Sequence, residues 1–156
     1  MASTPWMMSL LLITALSGCS GGQHPATIGL IERQLAPCPA SPNCVSSQAG
    51  AENQRVEVLR YNEDRAQAQV RLLRVLKGME RVTVIRADAT YVHVEFRSAF
   101  FGFVDDVEFH FDPPGVIQVR SASRVGYSDF GVNRARVAAI RERFATPAGV
   151  LPGATS

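Results

Sequence analysis

Residues 90–98 read TYVHVEFRS, residues 103–111 read FVDDVEFHF and residues 116–124 read VIQVRSASR. Apolar and polar residues alternate in each stretch, and the side chains of a β-strand point to opposite faces with the same alternation. The segment between the second and third stretches, residues 112–115, reads DPPG, which is typical of a turn. The pattern predicts three neighbouring antiparallel strands that form a sheet with one apolar and one polar face.

Further elements flank these strands on both sides. Val82–Ala87 and the alternating segment Arg55–Tyr61 predict two more strands. Glu63–Gly78 and Asn133–Ala145 predict helices. The expected caps and apolar helix positions are Asn62 or Asp64 followed by Val70, Leu73 and Leu76, and Asn133 followed by Val137, Ile140 and Phe144. We expect an α+β fold, in which an antiparallel sheet of four to five strands carries two helices packed on one face.

The polar face of this sheet concentrates charged residues. Aligning the apolar faces places six charged side chains on one surface: Glu95, Arg97, Asp106, Glu108, Arg120 and Arg124. They could form cross-strand ion pairs on a solvated face, with Arg120 paired to Glu108, or a charged platform that binds a polar partner. Asp105 falls on the opposite, apolar side, in phase with Ser121 and Ser123, whose hydroxyls could satisfy its carboxylate.

A second polar cluster follows the last strand. Asp129 lies in the loop after this strand, and Asn133 and Arg134 lie at the start of the last helix. They could fix the helix on the sheet, with Asp129 paired to Arg124 or Arg134 and Asn133 as the cap. They could also form an anion pocket at the helix N-terminus. Together with the sheet face they define the candidate polar or anion-binding cluster: Arg97, Asp106, Glu108, Arg120, Arg124, Asp129, Asn133 and Arg134.

The N-terminus predicts export. Met7–Leu16 is an apolar run that is too short to span a bilayer, and it ends in LSGC, residues 16–19, a pattern typical of a bacterial lipoprotein. We expect a signal peptide at 1–18, lipidation with palmitate at Cys19, a flexible tether at 19–36, a folded domain at 37–146 and a disordered tail at 147–156. Ser20 favours the outer membrane, with the protein facing the periplasm and attached through its lipid.

Two cysteines remain once Cys19 carries a lipid. Cys38 and Cys44 flank a proline-rich loop, CPASPNC. In an oxidising compartment a disulfide that closes this loop is the leading hypothesis, and a reactive thiol or a metal-binding pair are the alternatives.

Three segments of the chain resemble one family. They are CPASPNCVSS at 38–47, FGFVDDVEF at 101–109 and RSASRVGYSDFGVNRAR at 120–136. In this order they are similar to the family catalogued as domain of unknown function 1499, over roughly residues 35 to 145. The resemblance implies a small exported bacterial protein or lipoprotein with a single domain. It implies no activity and no catalytic residue.

Composition and residue placement narrow the function. A formal charge of +2, with both signs mixed, argues against a nucleic-acid partner. There are three enzymatic alternatives. They are a serine hydrolase using Ser46, Ser47, Ser121 or Ser123 with His93 or His110, a metal site at those histidines with Glu95 or Glu108, and an Asp106–Glu108 acid–base pair.

None of these enzymatic patterns is diagnostic, and we expect no cofactor or metal. The favoured hypothesis is a non-enzymatic binding or structural module of the cell envelope with a protein, glycan or lipid partner. A hydrolase acting on a polar envelope substrate and a carrier of a lipid or small apolar ligand are the alternatives.

Overall fold

A computed structural model describes residues 27–146 of the 156-residue chain. The elements in chain order are β1 (Leu30–Ile31), β2 (Gln34–Leu35), β3 (Cys44–Ser46), a 3₁₀ turn (Glu52–Gln54), β4 (Leu59–Arg60), α1 (Arg65–Lys77), β5 (Val82–Ala87), β6 (Tyr91–Arg97), β7 (Val104–His110), β8 (Val116–Ser123) and α2 (Val132–Ala145). The predicted signal peptide, the lipidation site Cys19 and the tail at 147–156 lie outside the described residues.

The predicted α+β fold is confirmed, with a slightly larger sheet than expected. The main antiparallel sheet has six strands in the order β3-β8-β7-β6-β5, and β4 also pairs with β8. β3 pairs with Ala122–Arg120 and β4 with Ile117–Val116, so these two short strands share one edge of β8. The predicted strand Arg55–Tyr61 is therefore paired only at Leu59–Arg60. β1 and β2 form a separate two-stranded hairpin.

Both helices pack on the apolar face of the main sheet. Phe109 and Ile117 of the sheet are fully buried, as are Leu72 of α1 and Ile140 of α2, and all belong to one hydrophobic core. Burial of this apolar surface is the main driving force for packing the helices on the sheet. Neither helix within residues 27–146 has the length and apolar character needed to cross a membrane.

The first helix is rotated relative to the expected stripe. Asp64 caps α1, as one of the two predicted caps, and accepts a hydrogen bond from the Gln67 backbone N–H at 3.0 Å. The buried positions, however, are Ala68, Leu72 and Leu76, and Val70 is 57% exposed. The prediction for Val70 was wrong because stripes with three- and four-residue spacing overlap on a helix, and sequence spacing alone does not choose between them.

The chain folds earlier than predicted. From residue 27 onward the predicted tether lies within the described residues, and there it contacts the sheet. Leu35 and Ala36 are buried, and the β1–β2 hairpin contacts the polar side of the sheet near β7 and β8. The folded domain therefore begins before the predicted boundary at residue 37.

The last helix is capped by Asp129. Its carboxylate accepts hydrogen bonds from the backbone N–H groups of Gly131 at 3.0 Å and Asn133 at 2.8 Å. The predicted cap, Asn133, was wrong: it lies in the first turn and is fully buried. Its side chain instead bonds the hydroxyls of Ser121 and Ser123 on β8. Asp129 therefore holds the start of the helix, and Asn133 attaches it to the sheet.

Replacing the capping carboxylate tests this assignment. Asp129→Ala is expected to lower the free energy of unfolding by about 0.5–2 kcal/mol, because two backbone donors lose their acceptor. Asp129→Asn, which keeps one acceptor oxygen, should retain most of the stability. Urea melts of the two variants measure the difference.

The same carboxylate predicts a dependence on pH. Burial would raise the pKa of Asp129, but hydrogen bonds from the backbone of Asn133 and Gly131 outweigh it and lower the pKa. A lowered pKa contributes stability above the ordinary value of 3.8, and this stability is lost as pH falls through the folded value. The advantage of wild type over Asp129→Ala should therefore shrink in acid. Equal stability of the two proteins at neutral pH would contradict the capping role.

Candidate functional site

The polar face of the main sheet is buried. Strand alternation places Tyr91 and His93 of β6, Asp106 and Glu108 of β7 and Arg120 of β8 on this face. All five are less than 5% exposed. The cross-strand ion pairs of the first alternative are present. The face is nevertheless not solvated, because the segment from residue 27 through the Cys38–Cys44 loop covers it, and strand periodicity gives no information about such a cover.

Glu108 is the most completely enclosed carboxylate of this face. Its side chain has no exposure. Arg120 donates from Nη1 to Oε2 at 2.9 Å, as predicted from strand register. The Tyr91 hydroxyl and the Gly29 backbone N–H donate to Oε1 at 2.6 and 2.7 Å. Burial, followed by the hydrogen bond to Glu108, raises the pKa of Tyr91, so that its hydroxyl stays a donor.

Asp106 forms the second centre of the face. The Arg124 guanidinium binds it through both carboxylate oxygens at 2.8 Å, and Nε2 of His93 lies 2.7 Å from Oδ1. Arg124 also pairs with Glu95. Burial would raise the pKa of Asp106, but hydrogen bonds from Arg124 and His93 outweigh it and hold the pKa at about 2. Asp106 is therefore a carboxylate throughout the neutral range and a weak base.

The other predicted site residues lie away from this centre. Arg97 is exposed at the end of β6 and donates to the Gly102 carbonyl at 3.3 Å. Arg134 donates to the carbonyls of Arg55 and Asn53, and so fixes α2 against the 3₁₀ turn. Asp129 pairs with neither Arg124 nor Arg134 in the described contacts. The predicted cluster therefore divides into a buried centre, the helix attachment and one exposed arginine.

Asp105 has a different partner from the one expected. It is buried on the core side, but its carboxylate pairs with Arg136 of α2 at 2.5 Å rather than with Ser121 or Ser123. The guanidinium of Arg136 also lies over the Phe96 ring, 4.8 Å from its centre. Arg136 reaches Asp105 because α2 crosses this end of the sheet, a placement that the linear spacing of the two residues does not indicate.

A cavity of about 540 Å³ lies between the polar face and its cover. Its walls come from the start of the described chain, the Cys38–Cys44 loop, β7 and the end of β8. The lining residues include Thr27, Cys38, Asn43, Asp106, Arg120, Ala122, Arg124 and Gly126. Cys38 and Cys44 form the predicted disulfide, which closes the loop over the cavity. Among the described residues, Nε of Arg120 is a buried donor with no hydrogen-bond partner.

The comparison with known families agrees with the resemblance seen in the sequence segments 38–47, 101–109 and 120–136. A family model described as "Protein of unknown function (DUF1499)" matches residues 34–144, well over half of the chain. The chain belongs to this family. The DUF1499 match runs from β2 to α2 and includes the disulfide loop, Asp106, Arg120 and Arg124. No curated protein matches the chain.

The described residues of this DUF1499 protein do not suggest a metal centre. Within 27–146 no three histidine, cysteine or acidic side chains are grouped so that they could hold a metal ion. His93 and Glu108 are opposite each other on β6 and β7, but their side chains bond Asp106 and Arg120 respectively. The predicted cluster did not include Tyr91 and His93. Both alternate onto the same face of the sheet as Asp106 and Glu108, and this alternation could have identified them.

The Asp106–Arg124–His93 arrangement predicts acid sensitivity. Because the folded pKa of Asp106 is about 2 and the ordinary value is 3.8, its contribution to stability is present above about pH 4 and is lost as pH falls towards 2. Asp106→Asn should lower the free energy of unfolding by about 2–3 kcal/mol at neutral pH. The gap from wild type should close between about pH 4 and 2.

A surface pair provides the control for this measurement. The carboxylate of Asp88 pairs with Arg86 and is 47% exposed. Asp88→Asn should therefore change the free energy of unfolding by less than about 1 kcal/mol. Urea melts at several pH values compare the two variants, and a gap for Asp106→Asn that stayed constant down to pH of about 2 would contradict the assignment.

Proposed function

We propose that the protein is a lipid-anchored protein of the cell envelope whose domain binds a small polar molecule in the cavity beneath the Cys38–Cys44 loop. The anchor is Cys19, in the outer membrane, and the domain faces the periplasm. The binding function is non-enzymatic. The observation that carries the proposal is this cavity, whose lining includes Arg120, a side chain with a buried Nε that has no hydrogen-bond partner.

The chemistry of the cavity indicates what it would bind. A buried donor without an acceptor costs free energy, and a ligand oxygen that accepts from Arg120 would recover it. Arginine suits carboxylate and phosphate oxygens in particular. Ser41 and Asn43 contribute further polar groups to the wall. A carboxylated sugar or a peptide-bearing glycan fragment of the cell wall combines such oxygens with hydroxyl groups, and we propose this class of ligand.

The state of Asp106 argues for binding rather than catalysis. A general acid at neutral pH needs a raised pKa, and Asp106 has a lowered one. Glu108 accepts three hydrogen bonds and has no exposure. These two carboxylates therefore stabilise the face instead of donating protons.

A hydrolase is the second candidate, and one contact favours it. The 2.7 Å contact between His93 and Asp106 is the kind in which a carboxylate orients an imidazole base. A carrier of an apolar ligand has less support, because the space between the sheet and α2 is filled by Val137, Ile140 and Phe144, all nearly fully buried.

The anchor is tested by replacing its cysteine. Cys19→Ala should remain unprocessed and lose labelling by radioactive palmitate, because the thiol that accepts the lipid is gone. Globomycin should cause the wild-type precursor to accumulate. Cys38→Ser with Cys44→Ser controls for the general loss of cysteines and should leave labelling intact. Processing and labelling of Cys19→Ala equal to wild type would refute the anchor.

The binding site is tested by filling the cavity. Ala122 lies in its wall and is almost buried, so Ala122→Leu should occupy the space without removing a hydrogen-bonding side chain. The probe is a muramidase digest of peptidoglycan, and the readout is the amount of each fragment retained with the protein on filtration. Ala122→Leu should retain about tenfold less than wild type, a change equivalent to roughly 1.4 kcal/mol.

The control for this assay is Ala135→Leu, an exposed position on α2. It should bind as wild type does. Equal retention by all three proteins, or none by wild type, would refute the proposed ligand class. Conversion of the fragments that His93→Gln abolishes would favour the hydrolase instead.

A further inference from the structure

Two loops at one end of the sheet expose large aromatic side chains. Phe100 and Phe101, between β6 and β7, are 94% and 78% exposed, and Tyr127 and Phe130, between β8 and α2, are 77% and 95% exposed. Phe103 is also half exposed, and its ring stacks on that of Phe101 with centres 5.5 Å apart. Grouped exposed aromatic residues are unusual on a soluble surface and mark sites of interaction. We call these two segments, residues 98–103 and 125–131, the aromatic loops.

The aromatic loops lie side by side. Ser123 is directly opposite Asp105 in the pairing of β8 with β7. Beyond that pair the Arg124 N–H donates to the Val104 carbonyl at 3.1 Å, which brings the start of the second loop to the end of the first. The Phe103 carbonyl accepts from the Ser98 N–H at 2.8 Å and closes the first loop. The exposed rings therefore belong to one surface at one end of the domain.

The conformation of the second loop directs a ring outwards. Phe130 has a φ of 53°, in the left-handed region that a bulky residue rarely adopts. The backbone N–H of Phe130 donates a hydrogen bond to the Ser128 hydroxyl at 3.2 Å. Asp129, the only charged residue of this loop, is held inwards by the backbone of Gly131 and Asn133. The loop thus exposes aromatic side chains, whereas its carboxylate is bound by backbone N–H groups.

The described chain begins near this end of the domain. Thr27 lines the cavity together with Arg124 and Gly126, which adjoin the second aromatic loop. The proposed lipid-bearing residue, Cys19, precedes Thr27 by eight residues, which span at most about 28 Å when fully extended. The leaflet that holds the lipid would therefore lie within reach of the aromatic loops.

We infer that the aromatic loops dock into the surface of the bilayer that carries the lipid anchor. Residues 98–103 contain no charged side chain, so inserting them desolvates no charge, and Arg97 at their base can meet anionic headgroups. The lipid anchor and an aromatic contact act together, because the anchor raises the local concentration of the loops at the membrane. The choice of a lipid bilayer as the occupant rests on the proposed anchoring at Cys19.

The test uses an unlipidated chain, so that it does not depend on lipidation. Trp6 is the single tryptophan of the sequence, so a chain from residue 19 onward with Cys19→Ser contains every described residue and no tryptophan. Phe130→Trp places a reporter in the aromatic loops, and Val70→Trp places one on the exposed side of α1 as the matched control. The probe is vesicles of phosphatidylethanolamine and phosphatidylglycerol that contain brominated phosphatidylcholine.

Docking predicts a blue shift and bromine quenching for Phe130→Trp and neither effect for Val70→Trp. A tryptophan-free chain should also sediment with the vesicles, and the combined change Phe100→Ser, Phe101→Ser and Phe130→Ser should weaken this partitioning by at least about tenfold without altering the unfolding midpoint. Equal fluorescence responses of the two reporters, or equal sedimentation of the parent and the serine variant, would overturn the inference. If the loops did not dock, Cys19→Ala would still lose palmitate labelling. The experiments therefore test the lipid anchor and the membrane docking of the aromatic loops independently.

Discussion

A carboxylate with no exposure, Glu108, joins three distant parts of the chain. Arg120 reaches it from β8, Tyr91 from β6 and the Gly29 backbone from the segment that precedes the sheet. Removing two charges from water is costly, so such a pair persists only when additional hydrogen bonds satisfy it. The Tyr91 hydroxyl and the Gly29 N–H supply such bonds, so removal of the covering segment would take one of the three donors away from Glu108.

This constraint gives the sheet two unlike buried faces. Antiparallel sheets commonly pack on one face and meet water on the other. Here the apolar face packs against α1 and α2, and the polar face packs beneath residues 27–44. The first interface is filled by aliphatic and aromatic side chains, whereas the second retains a cavity whose lining includes the charged residues Asp106, Arg120 and Arg124. The two buried faces of the sheet therefore differ in kind: one is a filled apolar core, and the other holds ion pairs beside a cavity.

Strand alternation predicted the contents of both faces, because a slip of one residue would move Val92, Val107 and Val119 from the buried face to the other one. The Arg120–Glu108 pair followed from that register. The cover did not, because residues 27–36 carry no long periodic pattern and their contacts, such as Gly29 with Glu108, join residues 79 apart in the chain. Asn133 was misassigned for a related reason: its partners on β8 become visible only when α2 is placed against the sheet.

The donor Gly29 lies outside the region that the DUF1499 model matches, which begins at residue 34. The boundary of the family and the boundary of the folding unit therefore do not coincide in this chain. A fragment cut at the family boundary would keep Glu108 and Arg120 but would lose Gly29, whose N–H donates to the buried carboxylate. It would also lose Thr27 from the wall of the cavity. The segment that leads into the family-matched region is here a component of the domain's interior.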